Sequence, residues 1–155
     1  MKKKINWKVL IASLIVVYLV AAAGSVFTAG NTSGEWYDSI KPSITPPGWV
    51  FPIVWNILFF LIALSLYFAW TNAEGKSKKK VALVFVINFM LNIAWSFFYF
   101  FLKNPALAFA DIIFLEASII TMIIVTSKTN RKAAYLLIPY LLWVGFASVL
   151  NYLSL

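Results

Sequence analysis

The residues best suited to bind a ligand are tryptophans and asparagines at helical spacing within apolar stretches. In the third such stretch, Asn88, Asn92, Trp95, Ser96 and Tyr99 share one helical face. Amide side chains in hydrocarbon are unfavourable unless they are paired, so this face is expected to point into a helix bundle. The amides would either join helices by hydrogen bonds or orient a ligand in a cavity, and this stripe alone favours neither interpretation.

Two further apolar stretches carry a tryptophan on a comparable face. Trp55 aligns with Phe59 in the second stretch, and Trp143 aligns with Phe146 and Ala147 in the fifth. The small Ala147, one turn from Trp143, would leave space for a flat ligand against the indole. One inward tryptophan is typical of packing, but three that converge with two asparagines predict an aromatic box for a large planar ligand.

The composition excludes several kinds of catalytic site. The 155 residues include no His and no Cys, which excludes disulfides, thiol catalysis, Ser-His triads and His-ligated haem, and we expect no metal site. Ligand recognition would therefore depend on aromatic stacking and amide contacts.

The fourth stretch contains two carboxyl groups, those of Asp111 and Glu116. An unpaired charge at mid-bilayer is unfavourable by roughly 2.5–3.5 kcal/mol on insertion scales. Their spacing corresponds to about 140° around a helix, so they do not form a carboxylate pair on one face. The structural interpretation is a hydrogen bond to another helix. The functional one is a proton relay or a contact with a polar group of a ligand.

These side chains need a membrane-embedded scaffold, and the composition predicts one. Hydrophobic residues make up 63% of the chain and charged residues 12%, which is more apolar surface than a soluble domain of this size can bury. A spanning helix needs about 20 apolar residues, and the chain has five such stretches, at residues 9–29, 49–70, 81–102, 105–126 and 133–153. We therefore predict an all-α integral membrane protein, a bundle of five transmembrane helices that forms a single domain over residues 1–155.

The basic residues fall almost entirely on one side of this topology. One side holds Lys41 and Lys103; the other holds Lys2, Lys3, Lys4, Lys8, Lys76, Lys78, Lys79, Lys80, Lys128, Arg131 and Lys132. Lys and Arg favour the cytoplasmic side of a membrane. We predict a multi-pass protein of the cell membrane, with its N-terminus and basic loops cytoplasmic. The formal net charge of +8 then reflects topology, and we expect no nucleic-acid partner.

The polar segment 30–48 is long for a connection in a compact bundle. Its prolines prevent it from being helical throughout, and long loops often act as lids or binding loops. We predict that the segment covers the ligand. Trp49, which follows it, is better interpreted on its own as part of an interfacial aromatic belt.

In this order, the motifs resemble the TspO/MBR family, which includes the tryptophan-rich sensory proteins and the translocator proteins, or peripheral benzodiazepine receptors. The resemblance extends over all five predicted helices. It rests on Trp36-Tyr37, Lys41-Pro42-Ser43, Thr45-Pro46-Pro47, Trp55, Asn92, Trp95-Ser96, Pro139-Tyr140-Leu141, Trp143, Phe146-Ala147 and Leu150-Asn151.

The resemblance implies a five-helix bundle with a pocket that opens toward the outer side beneath the first loop. It also implies binding of porphyrins such as protoporphyrin IX and haem, and in some bacterial members breakdown of protoporphyrin in light. The pocket residues that it implies are Trp36, Trp49, Trp55, Phe59, Asn88, Asn92, Trp95, Trp143 and Ala147. Phe146 shares a face with Trp143 and is added to this set.

The chain also departs from the family pattern. Ile44 stands where the family usually has a tryptophan, so one loop aromatic is missing. No Lys or Arg follows Tyr152, as the sterol-recognition pattern of animal members requires, and this speaks against sterol binding. Small residues spaced by four, such as Ala21 and Ser25, permit close helix contact within the bundle or between protomers. We expect a homodimer.

The leading prediction is a membrane tetrapyrrole-binding protein that serves porphyrin sensing, transport or light-dependent degradation. Lys41 or Lys103 would contact a ligand carboxylate at the outer mouth, and Trp55 and Trp143 would be the photo-oxidation partners. The absence of His favours metal-free protoporphyrin IX over haem, and no cofactor is required. The alternatives are a small proton-coupled transporter that uses the two carboxyl groups, and a non-catalytic sensor that responds to ligand occupancy.

Overall fold

The computed structural model describes residues 4–155, and in that range every regular element is helical. A π-helical turn at Phe97–Phe101 continues the fourth helix. The α-helices are α1 (Trp7–Thr28), α2 (Glu35–Ile40), α3 (Val50–Asn72), α4 (Lys76–Ser96), α5 (Pro105–Ser127), α6 (Arg131–Tyr135) and α7 (Ile138–Tyr152). Five units of this described part are long and apolar enough to cross a bilayer: α1, α3, α4 with the π-helical turn, α5, and α6 with α7.

The predicted all-helical fold with five long apolar helical units is confirmed, and the helix ends differ by a few residues from those predicted. The largest difference is at α4, which begins at Lys76 rather than at Val81. Lysines in a first helical turn can extend their ammonium groups into the headgroup region, so the helix can start before the apolar run does. The cytoplasmic N-terminus stays a prediction, and two of its lysines, Lys2 and Lys3, lie outside the described residues.

Asparagines set the start of three helices. The side chains of Asn6, Asn104 and Asn130 accept hydrogen bonds from backbone N–H groups of α1, α5 and α6 at 3.3, 3.0 and 2.9 Å. Such N-caps satisfy donors that have no partner within the helix. Pro105 follows its cap at the first position of α5, where a missing N–H is tolerated. These local signals fix the short connections between spans.

The fifth span is interrupted between α6 and α7. Pro139 lies in the first turn of α7 and cannot donate a hydrogen bond to the carbonyl of Tyr135, where α6 ends. The break places Tyr140 in the middle of the bundle, where only 1% of the residue is exposed.

The spans form a closed ring. Helix α1 packs against α3 and α4, α4 packs against α5, α5 packs against α6 and α7, and α6 and α7 return to α3. Buried apolar side chains from all of these helices, including Val17, Ile62, Phe85, Ile112 and Val144, fill the centre. The ring leaves space inside the bundle near each of its two ends.

Candidate functional site

A cavity of about 820 Å³ lies inside the ring at the end that carries segment 30–48. Its walls are the facing halves of α1, α3, α4 and α7, with a smaller contribution from α5. Tyr37 of α2 and the loop residues Pro42, Thr45 and Pro46 line the end of the cavity nearest segment 30–48. Small-molecule sites usually enclose about 300–1,000 Å³. We call this space the aromatic cavity.

Three indoles from three helices reach the aromatic cavity: those of Trp55, Trp95 and Trp143. Trp55 stacks on Phe59 with ring centroids 5.3 Å apart, and Trp95 stacks on Tyr99 at 5.1 Å. Stacked neighbours restrict the rotation of a ring, so these walls are held in place without a ligand. The arrangement presents flat apolar surfaces to whatever occupies the cavity.

Two polar atoms on the cavity wall are buried and have no hydrogen-bond partner among the described residues. They are the indole nitrogen Nε1 of Trp143 and the hydroxyl Oγ1 of Thr45. A buried polar group without a partner is unfavourable by about 1–3 kcal/mol. A ligand that offers an acceptor to Trp143 would remove part of this penalty, so both atoms mark points where a polar group can bind.

Asn92 lines the cavity and is oriented by a buried hydrogen-bond chain. Its Nδ2 donates to the hydroxyl of Tyr140 at 3.0 Å, and that hydroxyl donates to Oδ1 of Asn88 at 3.3 Å. Asn88 Nδ2 in turn donates to Oγ of Ser118 at 2.8 Å. The chain links α4, α7 and α5, and it leaves the amide oxygen of Asn92 to accept from a ligand.

Asn151 plays a similar positioning role for Trp95. Its Oδ1 accepts from Trp95 Nε1 at 3.0 Å, and its Nδ2 donates to the carbonyl of Pro105 at 2.9 Å. Tyr140 and Asn151 belong to the motifs shared with the family, but helical spacing alone does not predict that they belong to the ligand site. Their spacing from Trp143, three residues before and eight after it, indicates that both face the bundle interior, where Asn151 lines the cavity and Tyr140 lies behind its wall.

Comparison with known proteins identifies the chain. A family model described as the TspO/MBR family matches residues 12–154, which include every residue that lines the aromatic cavity. The chain belongs to the TspO/MBR family. The resemblance inferred from the motifs is thereby confirmed, and family membership with five apolar spans makes this a multi-pass membrane protein.

Relatives in the TspO/MBR family match nearly the whole chain. The Tryptophan-rich protein TspO of Archaeoglobus fulgidus is 41% identical over 144 residues, which cover 92% of each protein. The Tryptophan-rich sensory protein of Cereibacter sphaeroides is 29% identical over 90% of this chain and 88% of its own. The Translocator protein of Bos taurus is 30% identical over 86% of this chain and 83% of its own.

Six of the predicted ligand contacts line the cavity of this TspO/MBR protein: Trp55, Phe59, Asn92, Trp95, Trp143 and Ala147. Four do not. Asn88 lies behind the wall, and Phe146 packs beside Trp143 with ring centroids 5.6 Å apart. Trp36 packs against Tyr99 at 5.9 Å, and Trp49 is 67% exposed at the start of α3.

The two lysines at the end of the TspO/MBR bundle that carries the aromatic cavity have partners within the chain. Lys41 Nζ is 2.6 Å from a carboxylate oxygen of Asp38, in an exposed ion pair. Lys103 Nζ lies 5.9 Å from the ring centroid of Trp36. Burial, and then the charge of Asp38, raise the pKa of Tyr37 above its ordinary value of 10.0. Tyr37 therefore presents a neutral hydroxyl to the cavity at physiological pH.

Neither carboxyl group of α5 lines the aromatic cavity. Glu116 Oε1 accepts a hydrogen bond from Oγ of Ser148 in α7 at 2.8 Å, which ties the two helices together. Asp111 is 7% exposed, and its Oδ2 is buried without a partner among the described residues. Glu116 thus forms the hydrogen bond to another helix that a structural role predicts. Asp111 forms no such bond among the described residues.

The small residues of α1 face the cavity. Ala21, Ala22, Gly24 and Ser25 all line it, so their small size provides room inside the bundle. The homodimer stays a prediction.

Proposed function

We propose that this TspO/MBR protein binds a tetrapyrrole, preferably metal-free protoporphyrin IX, in the aromatic cavity. The observation that carries the proposal is the convergence of three indoles, from α3, α4 and α7, on one cavity of about 820 Å³. A large planar aromatic ligand gains stacking and apolar burial from such walls. Sensing, transport and degradation would all begin from this bound state.

Polar contacts would orient the macrocycle. The amide oxygen of Asn92 can accept from a pyrrole N–H, and the unpartnered indole N–H of Trp143 can donate to an acceptor on the ligand. Lys41 or Lys103, which do not line the cavity but lie at the same end of the bundle, would contact a propionate carboxylate. The exposed ion pair Lys41–Asp38 contributes little and exchanges partners easily. The chain has no His or Cys to bind a haem iron in the usual way.

Titration of the purified protein with protoporphyrin IX, followed by tryptophan fluorescence, tests this proposal. We expect saturable quenching in the wild type and an affinity lowered roughly tenfold in Trp143→Ala, because one stacking wall is lost. Trp7→Ala is the matched control, since Trp7 is 63% exposed and lies outside the cavity. Absence of quenching, or equal affinity in wild type and Trp143→Ala, would contradict the pocket.

We also propose a light-dependent role on the same complex. Trp55 and Trp143 both line the cavity, so photo-excited porphyrin and dioxygen would act beside two oxidisable indoles. Illumination in air should bleach porphyrin bound to the wild type, and should bleach it more slowly in the double variant Trp55→Phe with Trp143→Phe. Illumination under argon should leave the bound porphyrin intact. A bleaching rate independent of both tryptophans would contradict this role while leaving the binding proposal untouched.

A further inference from the structure

A second cavity, of about 720 Å³, lies at the opposite end of the bundle from the aromatic cavity. It is enclosed by the chain before and at the start of α1, the last turns of α3, the first turn of α4 and the start of α6. We call it the basic cavity, and none of its residues belongs to the aromatic cavity. Tetrapyrrole binding in the aromatic cavity therefore does not explain why the basic cavity exists.

Three cations from three separate elements converge on the basic cavity: Lys4, Lys78 and Lys132. None of its described lining residues is acidic, and none of the three lysines forms an ion pair with a described carboxylate. Lys78 Nζ lies 5.6 Å from the ring centroid of Trp70, which keeps the ammonium group at the rim. The cavity thus carries positive charge that no described group of the chain neutralises.

Uncharged hydrogen-bond donors lie beside these lysines in the basic cavity. The hydroxyl of Tyr67 accepts a hydrogen bond from the backbone N–H of Asn6 at 3.1 Å, and its own proton has no acceptor among the described residues. The Tyr67 hydroxyl belongs to the cavity lining together with the amide of Asn130, whereas the Thr71 hydroxyl, also in the lining, donates to the carbonyl of Tyr67 at 2.8 Å. A phosphate group combines negative charge with several acceptor oxygens, so it matches this set of groups.

The lower wall of the basic cavity is apolar. Val9 and Leu10 from α1 and Leu64 and Phe68 from α3 line it, each nearer the middle of its helix than the polar lining residues Asn6 and Thr71. Beside the rim, Trp7 is 63% exposed at the height where indoles commonly meet lipid headgroups. A free phosphate ion would gain no stabilisation from an apolar wall, whereas the glycerol and upper acyl chains of a lipid would pack against it.

We propose that the basic cavity binds an anionic phospholipid, with its phosphate among the three lysines and its upper acyl chains against α1 and α3. Basic pockets between membrane helices are suited to lipid headgroups. The proposal is independent of what the aromatic cavity binds.

Native mass spectrometry of the purified full chain, with equal concentrations of phosphatidylglycerol and phosphatidylcholine, tests the site. We expect the first bound lipid to be phosphatidylglycerol in the wild type. In the double variant Lys78→Gln with Lys132→Gln, this preference should fall on the order of tenfold. The control, Lys79→Gln with Lys80→Gln, removes the same charge from exposed lysines outside the cavity and should keep the preference.

Three results would overturn the proposal. Equal losses in the two double variants would mean diffuse attraction to the basic end of the bundle. Equal binding of the two lipids by the wild type would mean no headgroup selection, and displacement of phosphatidylglycerol by millimolar inorganic phosphate would mean an anion site without a lipid. Circular dichroism checks that the variants fold, and Lys132→Gln alone replaces the double variant if it does not.

A fluorescence measurement locates the lipid. Phosphatidylglycerol with brominated acyl chains should quench the wild type more than Trp70→Phe, because Trp70 lines the cavity. Quenching that does not change in Trp70→Phe would place the lipid elsewhere.

Discussion

Asn92 owes its orientation toward the aromatic cavity to Tyr140, a side chain that does not itself line that space. The hydroxyl of Tyr140 accepts from Asn92 and donates to Asn88, so one phenol joins both asparagines of α4 to α7. Sequence periodicity placed the two asparagines on one face but treated them alike. In the structure Asn92 faces the ligand space and Asn88 supports the wall from behind.

We expect Tyr140→Phe to weaken protoporphyrin IX binding several-fold and to lower stability by about 1–3 kcal/mol, because two buried amides lose their shared partner. The ring volume is preserved, so the change removes the hydroxyl alone. Fluorescence titration and thermal unfolding in detergent measure the two effects. Tyr135→Phe is the control, since Tyr135 is 64% exposed. Wild-type affinity and unfolding temperature in Tyr140→Phe would contradict the positioning role.

Glu116 allows a prediction that separates a structural role from proton transport. Ser148→Ala should lower the unfolding temperature, because the carboxyl group loses its donor inside the bundle. Glu116→Gln should be tolerated, since its amide oxygen can still accept from Ser148. The control is Ser127→Ala, at the exposed end of α5. Proton flux in liposomes that is present in the wild type and lost in Glu116→Gln would favour the transporter alternative instead.

At the scale of elements, α4 and α7 carry most of the site, and each departs from a regular helix where the site needs it. The turn at Phe97–Phe101 is π-helical, so Tyr99 and Phe100 both line the cavity next to Trp95. Five consecutive aromatic residues show no hydrophobic period, so periodicity does not predict this local widening of the helix. Single π-helical turns are frequent at functional sites.

The helix break before α7 is open to a direct test. Pro139→Ala should let α6 continue into α7, increase helicity and displace Tyr140 from Asn92, with a several-fold loss of protoporphyrin IX affinity. Pro105→Ala is the matched control, because proline at a first helical position is readily replaced. Circular dichroism and fluorescence titration provide the readouts. Unchanged helicity together with unchanged affinity in Pro139→Ala would show that the proline does not cause the break.

The elements were the most predictable part of the protein. A bilayer forces each span to satisfy its own backbone hydrogen bonds, so twenty apolar residues translate almost directly into a helix. Segment 30–48 could be recognised as irregular from its prolines, but not as containing α2, which occupies Glu35–Ile40 just before Lys41 and Pro42. Helical spacing was sufficient to predict that six of the proposed ligand-contact side chains face the aromatic cavity. It was not sufficient to predict the placement of Trp36 against Tyr99, because this depends on how α2 packs on the π-helical turn at Phe97–Phe101.

At the scale of the whole molecule, charge separates the two ends of the bundle. Among the described residues, the end with the basic cavity carries nine Lys or Arg and the acidic residue Glu74, while the aromatic end carries Lys41 and Lys103 with Glu35 and Asp38. The positive-inside rule then predicts that the aromatic cavity faces away from the cytoplasm.

Cysteine labelling can measure this orientation cleanly, because the native chain has no Cys. We expect a membrane-impermeant maleimide to label Ser43→Cys on intact cells and to leave Ser77→Cys unlabelled. Both positions are exposed, at opposite ends of the bundle. Permeabilised cells serve as the control in which both should react. Labelling of position 77 but not position 43 on intact cells would reverse the orientation.

The small-residue wall of α1 bears on how ligand width is selected. Ala21, Ala22, Gly24 and Ser25 form one side of the aromatic cavity, opposite tryptophans that are held by their own neighbours. A Cβ added at Gly24 would meet Ser96 Oγ at 3.6 Å, an ordinary van der Waals contact, so this side accepts a methyl group. The width of the aromatic cavity therefore depends on α1, a helix that carries none of the side chains proposed to stack on or hydrogen-bond to the ligand. Relatives could change the ligands that they admit by changing α1 alone, while the stacking residues and the amide stay the same.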